Sequence, residues 1–391
     1  MQFYFENHIL DLERRELRRG SDLVALEPQV FDLLTYLMQN RERVVSKDDL
    51  IASVWGGRIV SDSTLSTRIN AARKALGDSG EAQRLIKTMA RKGFRFTGTV
   101  TEHAKSGGAA SSPAAALPQQ EVHFCTASDG VRIAYASAGQ GVPLVKAANW
   151  LNHLEYDWHS PIWSHLLHAL AAECQLIRYD ERGNGLSDWD VDDISFEAFV
   201  RDLETVVDAA GLKRFSLFGI SQGAAVSIAY AVRHPERVER LILYGGFARG
   251  RTRRNPEQAE TLQALIRQGW GSENPAFRQF FTSLFVPDGN PEQMQFFNDL
   301  QRITTSPDNA VRIMQATGQV DISDLLPQVR VPTLVLHAQN DAAVPFDEGR
   351  RLAAGIPGAR FVTLVSRIHL IVEKEPAWTR LLEEIAAFLK G

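Results

Sequence analysis

The chain has 391 residues, of which 44% are hydrophobic and 23% are charged, with a formal net charge of −4. This length is too great for one ordinary hydrophobic core and predicts two or three domains. No run of about 18 apolar residues is present, so we expect no membrane span. We expect a cytoplasmic protein, because the start of the chain lacks the basic and apolar regions of a secretion signal.

The cysteine and histidine content predicts neither a disulfide framework nor a metal site. Cys125 and Cys174 are the two cysteines of the chain, and we expect small buried or half-buried thiols in a reducing compartment. No two histidines lie four residues apart with an acid, as they do in helical zinc sites. We therefore expect no metal and no cofactor.

Charge is distributed unevenly along the chain. Residues 1–100 contain 16 Lys and Arg against 13 Asp and Glu, a net charge of +3, whereas the remainder contains 27 against 34, or −7. A mildly basic N-terminal part is compatible with nucleic-acid binding, but this charge alone does not establish it.

The first 100 residues predict a small α+β domain. Short alternating segments indicate an antiparallel sheet, apolar residues at helical spacing indicate three helices, and a two-stranded ribbon closes the domain. The predicted strands cover 2–5, 8–11, 16–18 and 23–26, the helices begin near residues 28, 47 and 61, and the ribbon pairs 85–88 with 94–96.

The third predicted helix, residues 61–76, has two contrasting faces. One face is an apolar stripe formed by Leu65, Ile69, Ala72 and Leu76, which we expect to be buried. The opposite face is polar and carries Ser63, Thr64, Thr67, Arg68, Asn70, Arg73 and Lys74. Such a face is either a solvated helix surface or a surface that contacts DNA phosphates and base edges.

The element order and the segment Ile86-Lys87-Thr88-x-x-Arg91-Lys92-Gly93-Phe94-Arg95-Phe96 resemble the winged helix-turn-helix DNA-binding domain of OmpR/PhoB-type response regulators. The resemblance implies that the 61–76 helix enters the major groove of double-stranded DNA. It also implies that Arg91 and Lys92, at the tip of the ribbon, contact the adjacent minor groove or backbone. We expect a homodimer on paired half-sites, with RNA polymerase as a further partner.

Residues 101–120 predict a flexible linker between this domain and the rest of the chain. The segment consists mainly of small residues with two prolines, a composition that cannot bury a core.

Residues 121–391 predict an α/β domain with a mostly parallel sheet, because strand and helix patterns alternate. The predicted strands are 122–126, 132–136, 143–145, 174–179, 215–220, 241–244, 333–338 and 360–364. After the sixth of these strands, residues 247–328 form an insertion whose helical segments are 259–267, 276–285, 291–303 and 309–317.

The apolar run 215–220 leads into Gly219-Ile220-Ser221-Gln222-Gly223 and then into a segment of small residues. Alone, Gly-x-Ser-x-Gly is equally compatible with a glycine-rich turn. In a strand–turn–helix context it is typical of a nucleophilic serine at a tight turn, with a helix N-terminus that favours developing negative charge.

This order of elements, with Arg-Gly-x-Gly-x-Ser-Asp at 182–188, resembles the α/β-hydrolase fold over about 270 residues. The resemblance implies a triad in the order Ser221, Asp341, His369, because the acid and the histidine follow the strands 333–338 and 360–364. Ser221 would attack a carbonyl, His369 would transfer the proton, and Asp341 would orient the imidazole. The alternative for Asp341 and His369 is an ordinary loop carboxylate and a surface imidazole.

The resemblance also implies an oxyanion hole formed by the backbone N–H groups of Gln222 and Trp150. Here the chain departs from the family pattern, because Asn149 stands where a glycine is usual and Lys146 lies in a strand expected to be buried. Asn tolerates a left-handed backbone better than most residues, so we expect the turn to be kept.

We expect the 247–328 insertion to cover the serine as a helical cap and to leave a pocket for a small apolar ligand. The candidate lining residues are Asn149, His153, Trp270 and Phe281.

Three functions remain open from the sequence. The first is a one-component transcription regulator whose hydrolase-like domain senses, and can hydrolyse, a small apolar ester, lactone or amide. The second is a serine esterase with an accessory DNA-binding head, and the third is a ligand receptor with a vestigial triad. Joining a DNA-binding domain to a ligand pocket favours the first.

Overall fold

The computed structural model describes residues 2–12, 15–20, 22–24, 26–41, 43–55, 62–89, 92–98, 100–103, 119–270 and 275–391. The chain divides into two compact units, Met1–Ala114 and Ala115–Gly391. No helix among these residues has the length and apolar character needed to cross a membrane.

The N-terminal unit combines a five-stranded antiparallel sheet, three helices and a two-stranded ribbon. Its strands are β1 (Gln2–Phe5), β2 (His8–Asp11), β3 (Glu16–Arg19), β4 (Asp22–Val24), β5 (Ile86–Met89), β6 (Gly93–Phe96) and β7 (Thr101–His103). Its helices are α1 (Pro28–Gln39), α2 (Lys47–Trp55) and α3 (Asp62–Ala75). The sheet has the order β4-β3-β2-β1-β7, and β5 pairs with β6 as the ribbon.

The apolar stripe of α3 packs into the core of this unit. Leu65, Ile69, Ala72 and Leu76 are each no more than 1% exposed and cluster with apolar side chains of α1 and the strands. The loop that follows α3 is held by Asp78, whose carboxylate accepts hydrogen bonds from the backbone N–H groups of Ser79, Arg84, Leu85 and Ile86. Burial opposes ionisation of Asp78, but these N–H groups hold the pKa of its carboxyl below the usual value.

The two ends of the predicted 101–120 linker are strands. β7 pairs antiparallel with β1, so the sheet of the N-terminal unit extends beyond residue 100. At the other end, the first strand of the second unit begins at Gln120. Composition did not reveal either end, because three-residue and edge strands need little apolar sequence. The intervening residues 104–118 lie outside the described residues.

The C-terminal unit contains an eight-stranded sheet with helices between its strands. Its strands are β8 (Gln120–Thr126), β9 (Arg132–Ala138), β10 (Pro143–Lys146), β11 (Gln175–Tyr179), β12 (Phe215–Ile220), β13 (Val238–Tyr244), β14 (Thr333–Ala338) and β15 (Arg360–Leu364). Its helices are α4 (Leu154–Trp158), α5 (Ser164–Glu173), α6 (Phe196–Ala209), α7 (Gln222–Arg233), α8 (Arg251–Arg254), α9 (Pro256–Gly269), α10 (Pro275–Phe285), α11 (Pro291–Thr304), α12 (Pro307–Gly318), α13 (Phe346–Gly355) and α14 (Ala377–Lys390). A 3₁₀ helix spans Ser323–Gln328.

The sheet order is β15-β14-β13-β12-β10-β11-β9-β8. The strands from β10 to β15 pair in parallel, whereas β8 and β9 form an antiparallel edge. All side chains of β12 and β14 are buried, as expected for central strands covered by helices on both faces. The predicted α/β-hydrolase architecture is confirmed, and the predicted strands 333–338 and 360–364 have the observed bounds.

Among the described residues, five helices, α8 to α12, and the 3₁₀ helix lie in the insertion between β13 and β14. Three of them begin at an N-cap followed by proline: Asn255 caps α9, Asn290 caps α11 in a capping box, and Ser306 caps α12. An N-cap side chain satisfies a free N–H group, and proline at the first helical position has no N–H to satisfy. The helical character predicted for the insertion is confirmed, and α9 and α12 begin earlier than predicted, at Pro256 and Pro307.

Candidate active site and DNA interface

Ser221 lies in the tight turn between β12 and α7. Its backbone has φ 53° and ψ −121°, an unusual conformation for a non-glycine residue, and its side chain makes no capping hydrogen bond. A Cβ atom on Gly219 would come within 2.6 Å of the backbone oxygen of Gly223, and one on Gly223 within 2.6 Å of the oxygen of Ala148. The two glycines therefore allow the close chain approaches that hold Ser221 in this turn at the end of the strand.

Asp341 and His369 are in direct contact at the C-terminal ends of β14 and β15. Asp341 Oδ2 lies 2.7 Å from His369 Nδ1, and Asp341 Oδ1 accepts hydrogen bonds from the N–H groups of Ala343 and Val344. Burial alone would raise the pKa of Asp341, but His369 and the N–H donors outweigh it and lower that pKa. His337, fully buried with Nε2 3.8 Å from Asp341 Oδ2, packs behind the pair.

Shared neighbours place the His369 ring next to the Ser221 turn. The Ser221 N–H donates to the carbonyl of Tyr244, whose hydroxyl donates to the carbonyl of His369. The next residue, Gly245, has φ 57°, and a Cβ atom there would lie 3.0 Å from Cε1 of His369. His369 Nε2 is buried and makes no hydrogen bond to any described residue, Ser221 included. Asp341 and His369 are thus paired through Nδ1, and Nε2 of His369 is available to bond to another group.

The backbone N–H groups of Gln222 and Trp150 border the same turn. Gln222 is the first residue of α7, where N–H groups have no partner within the helix, and the Trp150 N–H donates to no described residue. The expected left-handed backbone does not fall on Asn149. It falls on Leu151, with φ 55°, and the Asn149 side chain accepts a hydrogen bond from Lys146.

The second departure from the family pattern is Lys146, which lies in a buried strand. Its ammonium group is buried, donates a 2.5 Å hydrogen bond to Asn149 Oδ1, and lies 5.1 Å from the centre of the Trp163 ring. Burial lowers the pKa of Lys146 to about 8, against the attraction of Asp157. Lys146 therefore orients the Asn149 side chain from behind the loop that carries Trp150.

A cavity of about 630 Å³, part of it open to solvent, lies over the serine. Ser221, Gln222 and Trp150 line its floor, and most of the remaining lining is apolar. The lining residues from the cap include Leu262, Phe281, Leu284, Phe285 and Met314. Of the predicted pocket residues, Phe281 is therefore a lining residue.

The other three predicted pocket residues do not line this cavity. Asn149 is 2% exposed and bound to Lys146. His153 caps α4, where its Nδ1 accepts from the N–H of Tyr156, and burial lowers its pKa. Trp270 packs against the ring of Trp150 with centroids 5.6 Å apart, so it supports the wall from behind. Their position in the sequence suggested proximity but not the direction of the side chains.

Two charged lining residues were missed from the sequence. Arg251 and Arg254 belong to α8, the short helix that follows β13, and both border the cavity. The basic run 249–254 was the available signal, but a basic run usually indicates a solvated surface.

The exposed face of α3 includes several of the predicted DNA contacts. Thr64, Thr67, Asn70 and Lys74 are exposed, as is Lys92, the residue before β6. Arg68 is half-buried and forms an ion pair with Glu27. The side chain of Ser63 and the whole of Arg91 lie outside the described residues.

Arg73 has a different role from the predicted DNA contact. Its side chain is 4% exposed, and its guanidinium donates hydrogen bonds to the carbonyl of Ile86 and to the hydroxyl of Thr88. Burial lowers its pKa, while Asp78 acts in the opposite direction. Arg73 therefore fastens α3 to the ribbon. Helical periodicity misplaced it because a long side chain at the margin of the polar face can turn inward.

Family comparisons agree with both halves of the structure. The family described as "Transcriptional regulatory protein, C terminal" matches residues 20–96, and the family described as "alpha/beta hydrolase fold" matches residues 151–376. The second match covers more than half of the chain. The chain belongs to the α/β-hydrolase fold family, and its N-terminal unit is a winged-helix domain of the OmpR/PhoB type, a DNA-binding class.

Individual relatives point the same way. RutD of Azorhizobium caulinodans, described as a carbamate hydrolase, is 30% identical over 233 residues, which cover 58% of this chain and 83% of RutD. Pyrrolizixenacetamide deacetylase of Xenorhabdus hominickii is 25% identical and covers 60% of this chain and 86% of its own. Among solved structures, a thermophilic esterase of Thermogutta terrifontis, with malate bound, is 25% identical with a TM-score of 0.57, over 70% of this chain and 98% of the esterase. The C-terminal unit is thus of a hydrolase type.

Proposed function

We propose that the protein is a one-component transcription regulator. Its N-terminal unit binds double-stranded DNA as a homodimer, and its C-terminal unit binds and hydrolyses a small, mainly apolar ester, lactone or amide over Ser221. One observation carries the hydrolytic part: the Asp341–His369 pair lies beside the serine turn, beneath a cavity that Ser221 itself lines.

The proposed reaction follows the acyl-transfer chemistry of serine hydrolases. Ser221 Oγ attacks the carbonyl carbon while His369 Nε2 takes its proton, and Asp341 stabilises the resulting imidazolium. The N–H groups of Gln222 and Trp150 stabilise the oxyanion. His369 then protonates the leaving group, and a water molecule, activated by the same imidazole, releases the acid and restores Ser221.

The regulatory part rests on the combination of domains. A DNA-binding domain of a transcriptional regulator and a hydrolase domain lie on one chain. A ligand can change DNA binding only if it binds two conformational or oligomeric states with different affinity. Contact with RNA polymerase would then convert promoter binding into a change in transcription.

Hydrolysis is tested with p-nitrophenyl butyrate and the full-length protein. We expect turnover by the wild type and a loss of at least about 1,000-fold in kcat for Ser221→Ala and for His369→Ala. Ser283→Ala is the matched control, because Ser283 is an exposed serine of the cap. Equal turnover by Ser221→Ala and the wild type would contradict the assignment.

DNA binding is tested by titrating the full-length protein with the duplex from upstream of its own gene, over a series of salt concentrations. We expect Arg91→Ala to weaken binding with little dependence on sequence and to reduce the salt slope by about one. An unchanged affinity and slope would contradict the position of Arg91 at the DNA backbone.

A further inference from the structure

Arg251 and Arg254 are the charged residues of the cavity lining. They lie three positions apart on α8, so their side chains leave the helix on the same side. The surrounding wall is mostly apolar, with Phe247, Leu262 and Met314 among its members. A charge that is partly removed from water is costly unless an opposite charge or hydrogen bonds compensate it.

Neither arginine has a carboxylate partner among the described residues. Arg251 donates to the amide oxygen of Gln258 at 3.3 Å and to the carbonyl of Ala343 at 3.1 Å, both neutral acceptors. Arg254 lies over the Phe247 ring at 5.7 Å, and its buried Nε bonds to no described residue. Burial and the adjacent Arg254 charge lower the pKa of Arg251 to about 10.

The carboxylates that attract these arginines already have other partners. Asp341 accepts from His369 and two backbone N–H groups. Glu348 is paired with Arg249 and Arg351 and accepts from two further backbone N–H groups. The positive charge at the cavity wall is therefore in excess, and it faces the space that a ligand would occupy.

We propose that Arg251 and Arg254 bind a carboxylate of the ligand, so that the substrate is a small ester, lactone or amide with an apolar chain and a separate carboxylate. Guanidinium groups bind carboxylates through paired, charge-assisted hydrogen bonds, which suits two arginines on one wall. This inference rests on the proposed function, because it concerns the ligand of the same cavity.

Binding to the Ser221→Ala protein tests the inference without dependence on turnover. Monomethyl glutarate and dimethyl glutarate have the same carbon chain and differ by one carboxylate. By isothermal titration calorimetry, we expect the monomethyl ester to bind at least about tenfold tighter, as charge-assisted hydrogen bonds require. Adding Arg251→Gln or Arg254→Gln should remove most of this preference, whereas affinity for the dimethyl ester should change less than about twofold.

Arg253→Gln is the matched control, because Arg253 is an exposed residue of the same helix that bonds to the carbonyl of Gln319. It should leave the preference unchanged, and circular dichroism should show that all variants are folded. Equal affinity for the two esters, or binding of neither, would overturn the inference. Tighter binding of butyl phosphate than of monomethyl glutarate would show that the anion is a phosphate and would overturn the carboxylate assignment.

Wild-type hydrolysis of monomethyl glutarate then tests the proposed function separately. Methanol release supports the proposed reaction. A carboxylate preference without methanol release would leave the inference standing and contradict hydrolysis.

Discussion

At the scale of single residues, the position of His369 depends on a glycine that sequence motifs do not mark. Gly245 follows β13 and has φ 57°. A Cβ atom added to it would lie only 3.0 Å from His369 Cε1. An alanine at this position would have to displace the imidazole or the β13 end. The same backbone carries the hydrogen bond from the Ser221 N–H to Tyr244.

We predict that Gly245→Ala lowers kcat for p-nitrophenyl butyrate by at least about 100-fold, because small displacements of a catalytic group are costly. Gly358→Ala is the matched control: Gly358 also has a positive φ, of 71°, but nothing lies within 4 Å of its added Cβ. Both variants should lose about 1 kcal/mol of stability in thermal unfolding. A similar kcat for the two variants would show that the position of His369 does not depend on Gly245.

Glu181 is a second residue whose environment can be tested, because it affects how stability depends on pH. It is 1% exposed and accepts hydrogen bonds from the side chains of Gln222, at 2.6 Å, and Asn184, at 3.1 Å. Burial, with the nearby charges of Asp202 and Asp180, raises the pKa of Glu181 from 4.5 to about 8.

The sign of the pH effect follows from this pKa. Between pH 5 and pH 8 the unfolded chain loses the Glu181 proton while the folded chain keeps it, so the free energy of unfolding falls as pH rises. We predict that Glu181→Gln makes this fall shallower, by on the order of 1 kcal/mol per pH unit, in urea unfolding at several pH values. Glu383→Gln, at an exposed position of α14, should follow the wild type. If the free energy of unfolding of Glu181→Gln fell with pH as steeply as that of the wild type, Glu181 could not be protonated in the folded chain.

At the scale of elements, α3 separates residues that hold the fold from residues that face outward. Arg73 is bonded to the ribbon, whereas Lys74, the next residue, is exposed. We predict that Arg73→Ala destabilises the N-terminal unit by about 1–3 kcal/mol, because the carbonyl of Ile86 loses its partner. Lys74→Ala should leave stability unchanged, weaken DNA binding and reduce the salt slope by about one.

Thermal unfolding and a salt titration of DNA affinity check this division. If Arg73→Ala kept full stability and Lys74→Ala kept full DNA affinity, the assignment of the two faces would be incorrect.

Element types were predictable where a local pattern is tied to a physical cause. The Leu65–Leu76 stripe predicted α3, the helical pattern of the insertion predicted the cap helices, and the Gly-x-Ser-x-Gly turn predicted the position of Ser221. The predictions that were wrong share one cause, because the sequence pattern does not show the direction in which a side chain points. Helical periodicity could not show that Arg73 turns inward, that Trp270 stands behind Trp150, or that Arg251 reaches the cavity.

At the scale of the whole molecule, the two compact units have separate chemistries on one chain. We predict two chains per duplex when the protein is titrated with its upstream DNA in sedimentation equilibrium, which corresponds to twice the 43.5 kDa chain mass plus the duplex. The physical reason is that two linked half-site contacts bind far more tightly than one. Ser221→Ala should give the same stoichiometry, and a single chain per duplex at micromolar protein would contradict the dimer.

The central claim, that the chain carries an activated serine beneath its cap, has a direct test. Full-length protein is treated with diisopropyl fluorophosphate and analysed by peptide mass spectrometry. We predict one adduct per chain, on the peptide containing Ser221, with labelling abolished by Ser221→Ala and slowed at least about 100-fold by His369→Ala. An unlabelled wild type, or an adduct on another serine with Ser221 unmodified, would contradict the account.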